Sequence, residues 1–160
     1  MPTPRARDWK GKTRPGFSEP NLPNTIDRLL PTPEAKLARS GPDYARANRP
    51  GSGGDDLTTV AAKAAHGKGV DWGDFAPAIE RAEQVLQRPA PEPVEPNRNG
   101  NPRITGRFVE WLMGLPEGWV TDTPKLTRKA EFTMLGNGVV PQQAALALSR
   151  LTRGITQPTT

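Results

Sequence analysis

The chain of 160 residues contains no cysteine and one histidine. The missing thiol excludes disulfides, thiolate metal sites and a cysteine nucleophile. A lone imidazole cannot assemble a metal cluster, so no metal site is expected. His66 stands in "AAKAAHGKG". That pattern places it at the end of a short helix, where a partly charged ring suits the negative pole of the dipole. Long apolar runs are missing too: none approaches the roughly 18 residues of a membrane span, and no signal-peptide pattern opens the chain. The expectation is a soluble, intracellular protein of the cytoplasm, with no membrane partner.

Apolar residues are scarce at 34%. A typical globular chain, with glycine counted, has about 45–50%. Proline (19) and glycine (16) together exceed a fifth of the residues. Ordering a residue costs roughly 1–2 kcal/mol of conformational entropy, which burial must offset. The expected fold is therefore mainly α, with short helices, extensive irregular segments, little or no sheet and no complete Rossmann-like domain.

The formal net charge is +5. Residues 1–50 carry ten Lys/Arg against five Asp/Glu, residues 51–100 five against eight, and residues 101–160 seven against four. Basic ends suit a nucleic-acid partner, and they equally suit an ordinary solvated surface. In "RARDWKGK", Trp9 is flanked by Arg5, Arg7, Lys10 and Lys12. An aromatic among cations is the composition of a nucleic-acid contact, although a core anchor is the competing reading.

The sequence divides into five regions. Residues 1–73 are basic and loop-rich, with "MPTP" at 1–4 echoed by "LPTP" at 30–33 and with Asn21 and Asp56 as N-caps. Residues 74–88 form a helix, with Asp74 as cap and Phe75, Ile79, Ala82 and Leu86 on one stripe. Residues 89–102, which include "PAPEPVEP", form a polyproline-like linker. Residues 103–153 form a helical segment, and residues 154–160 a disordered tail.

The helical segment is the most informative. Thr105 is a natural N-cap, Phe108, Trp111, Leu112 and Leu115 share a face, and Gly114 and Pro116 end the helix. "TMLGNGVVPQQAALALSR" then places Gly136 and Gly138 in a loop where positive φ and close backbone approach are available. Pro141 opens the next helix, with Val140, Ala144, Leu148 and Leu151 as its stripe. Asn137 suits either a cap or a hydrogen bond to a ligand.

"MLGNGVVPQQAALAL" resembles the final conserved segment of DNA cytosine-5 methyltransferases, motif X, a G-N-x-V-x-P run leading into an alanine-rich helix. "ITGRFVEWLMGLPEGW" resembles motif IX, L-T-x-R-E-x-x-R-L-x-G-F-P, through Ile104, Thr105, Arg107, Leu112, Gly114, Leu115 and Pro116. Two family positions differ: a glutamate is Phe108 and an arginine is Trp111. The proline- and arginine-rich stretches of the first third are similar to the target-recognition region of phage and actinobacterial members.

The resemblance implies that Asn137, Gly138 and Val139 help wall a methyl-donor pocket. It also implies DNA as a partner. The family's catalytic half has no counterpart here: no Pro-Cys nucleophile, no glycine loop for S-adenosylmethionine and no Glu-Asn-Val run. No catalytic residue is expected, and no cofactor without a partner. Three readings stay open: a subunit that completes a separate catalytic methyltransferase chain, a non-catalytic DNA-binding or host-interaction protein, and a degenerate remnant.

Overall fold

In the computed structural model, the described residues are 30–50, 54–66 and 69–155. Asp56 caps the first α-helix, α1 (Leu57–Ala64), by accepting from the Thr59 N–H at 2.9 Å. Before it lie two 3₁₀ turns, Ala35–Ala38 and Arg46–Asn48. Exposed His66 lies just past α1, beyond the C-cap Ala65, and not within the helix. Asn21, Arg5, Arg7, Trp9, Lys10 and Lys12 lie outside the described residues.

The second helix, α2, spans Ala76–Leu86, with Pro77 in its first turn. Asp74 is not its cap. It sits inside a 3₁₀ turn, Gly73–Phe75, and the residue before α2 is Phe75. The Phe75 N–H already donates to Trp72 O at 2.9 Å, so the tighter turn feeds the helix without a side-chain acceptor. Ile79 is buried, and Ala82 and Leu86 pack on the core, as the stripe predicts.

Residues 89–102 are not only a spacer. Within and just beyond them, β1 (Val94–Pro96) pairs antiparallel with β2 (Pro102–Ile104), in the register Val94↔Ile104, Glu95↔Arg103 and Pro96↔Pro102. Polyproline and β conformations are neighbours in one extended basin. Proline is tolerated at a ladder's end, where no N–H is needed. The two-stranded hairpin is the whole sheet among the described residues and leaves the fold mainly α.

Three helices follow: α3 (Gly106–Leu112), α4 (Arg128–Asn137) and α5 (Pro141–Ile155). The core joins Leu37, Leu57, Ile104, Phe108, Trp111 and Phe132, among others. Leu37 and Leu57 therefore share one core with residues of the last third. Trp72 stacks on Phe108 at 5.2 Å between ring centroids, and Phe108 on Trp111 at 5.9 Å. These stacked rings join partly buried Trp72 to the core.

The stripe on α5 behaves differently. Pro141 opens that helix as expected, but Leu148 is 62% and Leu151 67% exposed. Val140 and Ala144 are half-buried. Helix also extends to Ile155, into the segment expected to be a tail, while residues 156–160 lie outside the described residues.

Candidate functional site

The segment from Thr105 to Pro141 is built outward from α3. Thr105 accepts from the Phe108 N–H at 3.2 Å and donates its own hydroxyl to Glu92 O at 2.7 Å. The cap thus fixes both the helix start and the preceding extended chain. Every residue from Phe108 to Trp111 is buried, Glu110 included. The Glu110 carboxylate accepts from the N–H groups of Gly118 (2.8 Å), Val120 (2.6 Å) and Thr121 (3.1 Å), and from the Thr121 hydroxyl at 3.0 Å. A buried carboxylate is tolerable when its lone pairs are filled in this way. The turn after α3 is folded around it.

Arg107 points outward, pairing with Asp122 at 2.7 Å and Glu117 at 3.5 Å. Both pairs are exposed, so they orient the turn more than they stabilise it. Gly114 has a φ of +65°, and a Cβ there would stand 2.6 Å from the Gln142 side-chain amide. Gln142 donates to Gly114 O at 3.0 Å. The two segments that carry the family resemblance thus meet at Gly114. Pro116 is exposed and accepts from the Trp119 N–H at 3.2 Å, which starts the turn that Glu110 braces.

The glycine-flanked asparagine does not sit in a loop. Gly136 and Asn137 form the last turn of α4, and Gly138 follows with a φ of −71°. The expected positive φ is absent at both glycines. Asn137 caps no following helix, because it is the final residue of the preceding one. The close approach is real, however, at Gly136. A Cβ there would lie 2.6 Å from the Glu34 carbonyl carbon and 2.9 Å from Ala35 Cα. The bare backbone is needed by the chain's own 3₁₀ turn. Asn137, Gly138 and Val139 are exposed, Val139 by 69%. The Asn137 side chain makes no hydrogen bond among the described residues.

Beside the start of α3 lies an open cleft of about 290 Å³, lined by Glu92, Glu95, Thr105, Arg107, Arg128 and Glu131, among others. Arg128 donates to Ile104 O at 2.6 Å and Ala38 O at 3.2 Å, and its guanidinium lies 4.3 Å from the Phe132 ring centroid. It ties the first 3₁₀ turn to the hairpin. Burial lowers its affinity for its proton, and neighbouring Arg103 adds to the effect. Burial also raises the pKa of Glu131, with repulsion from Glu110 and Glu95 opposed by the attraction of Arg128. The Glu131 carboxylate occupies the space where Gly106 lacks a side chain.

A raised carboxyl pKa means that the folded state holds the proton more tightly than the unfolded one. Glu131 therefore favours folding below the ordinary value near 4.5, and that contribution disappears as pH rises through the folded pKa. Glu131→Gln should raise the melting temperature at pH 7 and leave it unchanged near pH 4. A lower melting temperature at pH 7 would show that the carboxylate is net stabilising.

No family model, curated protein or solved structure matches the chain. Sequence reasoning missed Glu110, Arg128, Glu131 and Gln142. For Glu110 there was a signal, a single acid between Val109 and Trp111 on a helix otherwise apolar along that stretch. The others become visible only through their partners.

Proposed function

We propose that this chain is a non-catalytic relative of the carboxy-terminal half of a cytosine-5 DNA methyltransferase, which docks on a separate catalytic chain through α5. The observation that carries this reading is the location of the exposed apolar surface. Leu148 and Leu151 are more than half exposed on the helix that resembles motif X, and Val139 just precedes that helix. An amphipathic helix seeks cover for its apolar face. In the family, this segment lies beside the cofactor domain. Asn137 stands exposed at the end of α4, free to take a partner, and S-adenosylmethionine would reach it only in the complex.

Alone, the chain should transfer no tritiated methyl group to DNA of mixed sequence. With a cytosine-5 methyltransferase truncated before its own motif IX, transfer should reappear. Leu148→Asp with Leu151→Asp should abolish that rescue while leaving the melting temperature of the free chain unchanged. Asn137→Ala should weaken S-adenosylmethionine binding by the complex with little effect on folding. Transfer by the chain alone would overturn the proposal, as would rescue that the two aspartates leave intact.

The Lys/Arg excess of residues 1–50 favours a second reading, a DNA-binding or host-interaction protein no longer tied to catalysis. Replacing Arg5, Arg7, Lys10 and Lys12 with Ala should then weaken binding to DNA and reduce its salt dependence, by a slope of about 0.9 for each phosphate no longer neutralised. An unchanged slope would place the contacts elsewhere.

A further inference from the structure

Two asparagines of the chain are followed by glycine, Asn99 and Asn137. Both pairs are exposed. We infer that Asn137–Gly138, in preference to Asn99–Gly100, is a self-modification site of the folded chain. There the side-chain amide leaves as ammonia, and the main chain is rerouted through an isoaspartyl link at the root of α5. The step depends neither on the docking of α5 nor on a catalytic partner.

The chemistry needs only water and a base. Asparagine is among the chemically labile residues. The backbone nitrogen of the next residue gives its proton to solvent hydroxide and attacks the side-chain carbonyl carbon, Cγ. A C–N bond forms and closes a cyclic imide. The Cγ–NH₂ bond breaks, and the amide nitrogen leaves as ammonia with a proton from water. Water then opens the imide. Attack at the Cγ carbonyl gives aspartate, and attack at the main-chain carbonyl gives isoaspartate, whose main chain runs through Cβ and Cγ. No oxidation or reduction occurs. Glycine favours the first step because it has no Cβ to crowd the attacking nitrogen.

The two pairs differ in how that nitrogen is held. Gly100 N–H donates to Asn97 O at 2.9 Å, and Gly100 has a φ of +78°. The Asn97 side chain accepts from the N–H groups of Asn99 (2.8 Å) and Asn101 (3.0 Å). Imide closure at Asn99 must break this turn. Nothing comparable holds Gly138. The residues that end α1, α2 and α3, namely Ala65, Gln87 and Met113, each donate a backbone N–H to a carbonyl of their own helix. Gly138 ends α4 without such a bond.

Asn137 is the last residue of α4, and a helical ψ directs the next nitrogen away from Cγ. Attack therefore follows fraying of the final turn. Helix ends open at far lower free energy than a core does, and glycine, present on both sides of Asn137, is among the poorest helix formers. The opening is confined. Leu135 is buried and Gly136 backs onto Glu34 and Ala35, while Pro141 begins α5.

The products alter this junction. Either one puts a carboxylate at the negative pole of α4, where a charge of that sign is disfavoured, and lowers the net charge of +5 by one. The isoaspartyl form also lengthens the main chain by a methylene just before α5. Gln142 ties α5 to the turn after α3 by donating to Gly114 O at 3.0 Å. A longer main chain at position 137 moves Gln142 off that carbonyl.

Ageing of the full chain in mildly alkaline buffer, folded and in parallel in concentrated urea, tests the inference. Digestion with an acid protease, followed by mass spectrometry that separates aspartate from isoaspartate, gives the rate at each asparagine. In urea the two rates should be similar. In the folded chain Asn137 should react several-fold faster than Asn99. Gly138→Ala should slow Asn137 several-fold, and Asn97→Ala should bring Asn99 up towards its rate in urea. Thermal melting checks that each variant is folded. The Gln142 side-chain amide signal in a nitrogen–proton NMR spectrum should move in the isoaspartyl fraction.

A folded-state rate at Asn137 no higher than that at Asn99 would overturn the inference. So would an Asn137 that stays intact in the folded chain over times at which the chain in urea is modified. An Asn99 that stays slow after Asn97→Ala would refute the protection by the turn on which the ranking stands. An unmoved Gln142 signal in the isoaspartyl fraction would refute the effect on α5.

Discussion

Glu110→Ala should destabilise the protein by about 3–5 kcal/mol, the largest loss expected from any single truncation here. Three backbone N–H groups and one hydroxyl, all within residues 118–121, use this carboxylate as acceptor. A buried donor left without a partner costs about 1–3 kcal/mol. Val120 is buried, while Gly118 and Thr121 are half-buried, so water replaces part of what they lose. Glu110→Gln should fall between wild type and alanine, because one carbonyl oxygen remains but the new NH₂ faces donors. Urea denaturation measures all three. Hydrogen exchange at the Val120 amide should accelerate in step with the stability loss. Glu117→Ala, on an exposed side chain, should stay within about 0.5 kcal/mol of wild type. A loss below about 1 kcal/mol for Glu110→Ala would mean that the turn folds without its central acceptor.

Gly136→Val should cost about 3 kcal/mol, and Gly138→Val far less. At Gly136 the new Cβ meets the backbone of Glu34 and Ala35, which cannot rotate aside as a side chain would. Overpacking of this kind typically costs about 1–3 kcal/mol. Relief requires the Ala35–Ala38 turn to lift away, carrying Leu37 out of the core. Fully burying a leucine is itself worth about 1.5–3 kcal/mol. At Gly138 the φ of −71° suits any residue, and the nearest contact is the Met134 carbonyl oxygen at 3.0 Å. The ranking reverses what the sequence implies, where both glycines look like loop hinges. Chemical denaturation of the two variants side by side decides it, and a larger loss for Gly138→Val would refute the close approach at Gly136.

Much of the local structure was legible. Asp56, Thr105 and Pro141 start helices because a side-chain acceptor, or a fixed φ at the first helical residue, acts within one turn. Phe108 and Trp111 read as core because helical spacing puts them on one face. Gly114 read as a helix stop, and its φ is +65°. Asp74 failed as a cap because a 3₁₀ turn preceded the helix. The hairpin was hidden because proline-rich extended chain has the same signature whether it pairs or not.

The candidate site was less legible because its important contacts are distant in sequence. Glu110 serves amides up to eleven residues on, and Arg128 reaches a carbonyl ninety residues away. Composition and period contain no record of such pairings. The glycine at 136 announced that backbone comes close to something, but it could not say that the something is Glu34 and Ala35.

The sequence by itself determined where some helices begin, at Asp56, Thr105 and Pro141, which side chains are apolar enough to be buried, and that the residues given hold no thiol. These follow from interactions within a turn or two and from residue identity. Only the tertiary structure decided that residues 30–137 share one core, that an acid organises the turn after α3, that residues 94–104 pair into a clamped hairpin, and that the stripe on α5 faces outward. A period of 3.6 residues shows that a helix has an apolar face. Whether the same chain covers that face depends on how many such faces compete for a small core, and here Leu148 and Leu151 remain outside it.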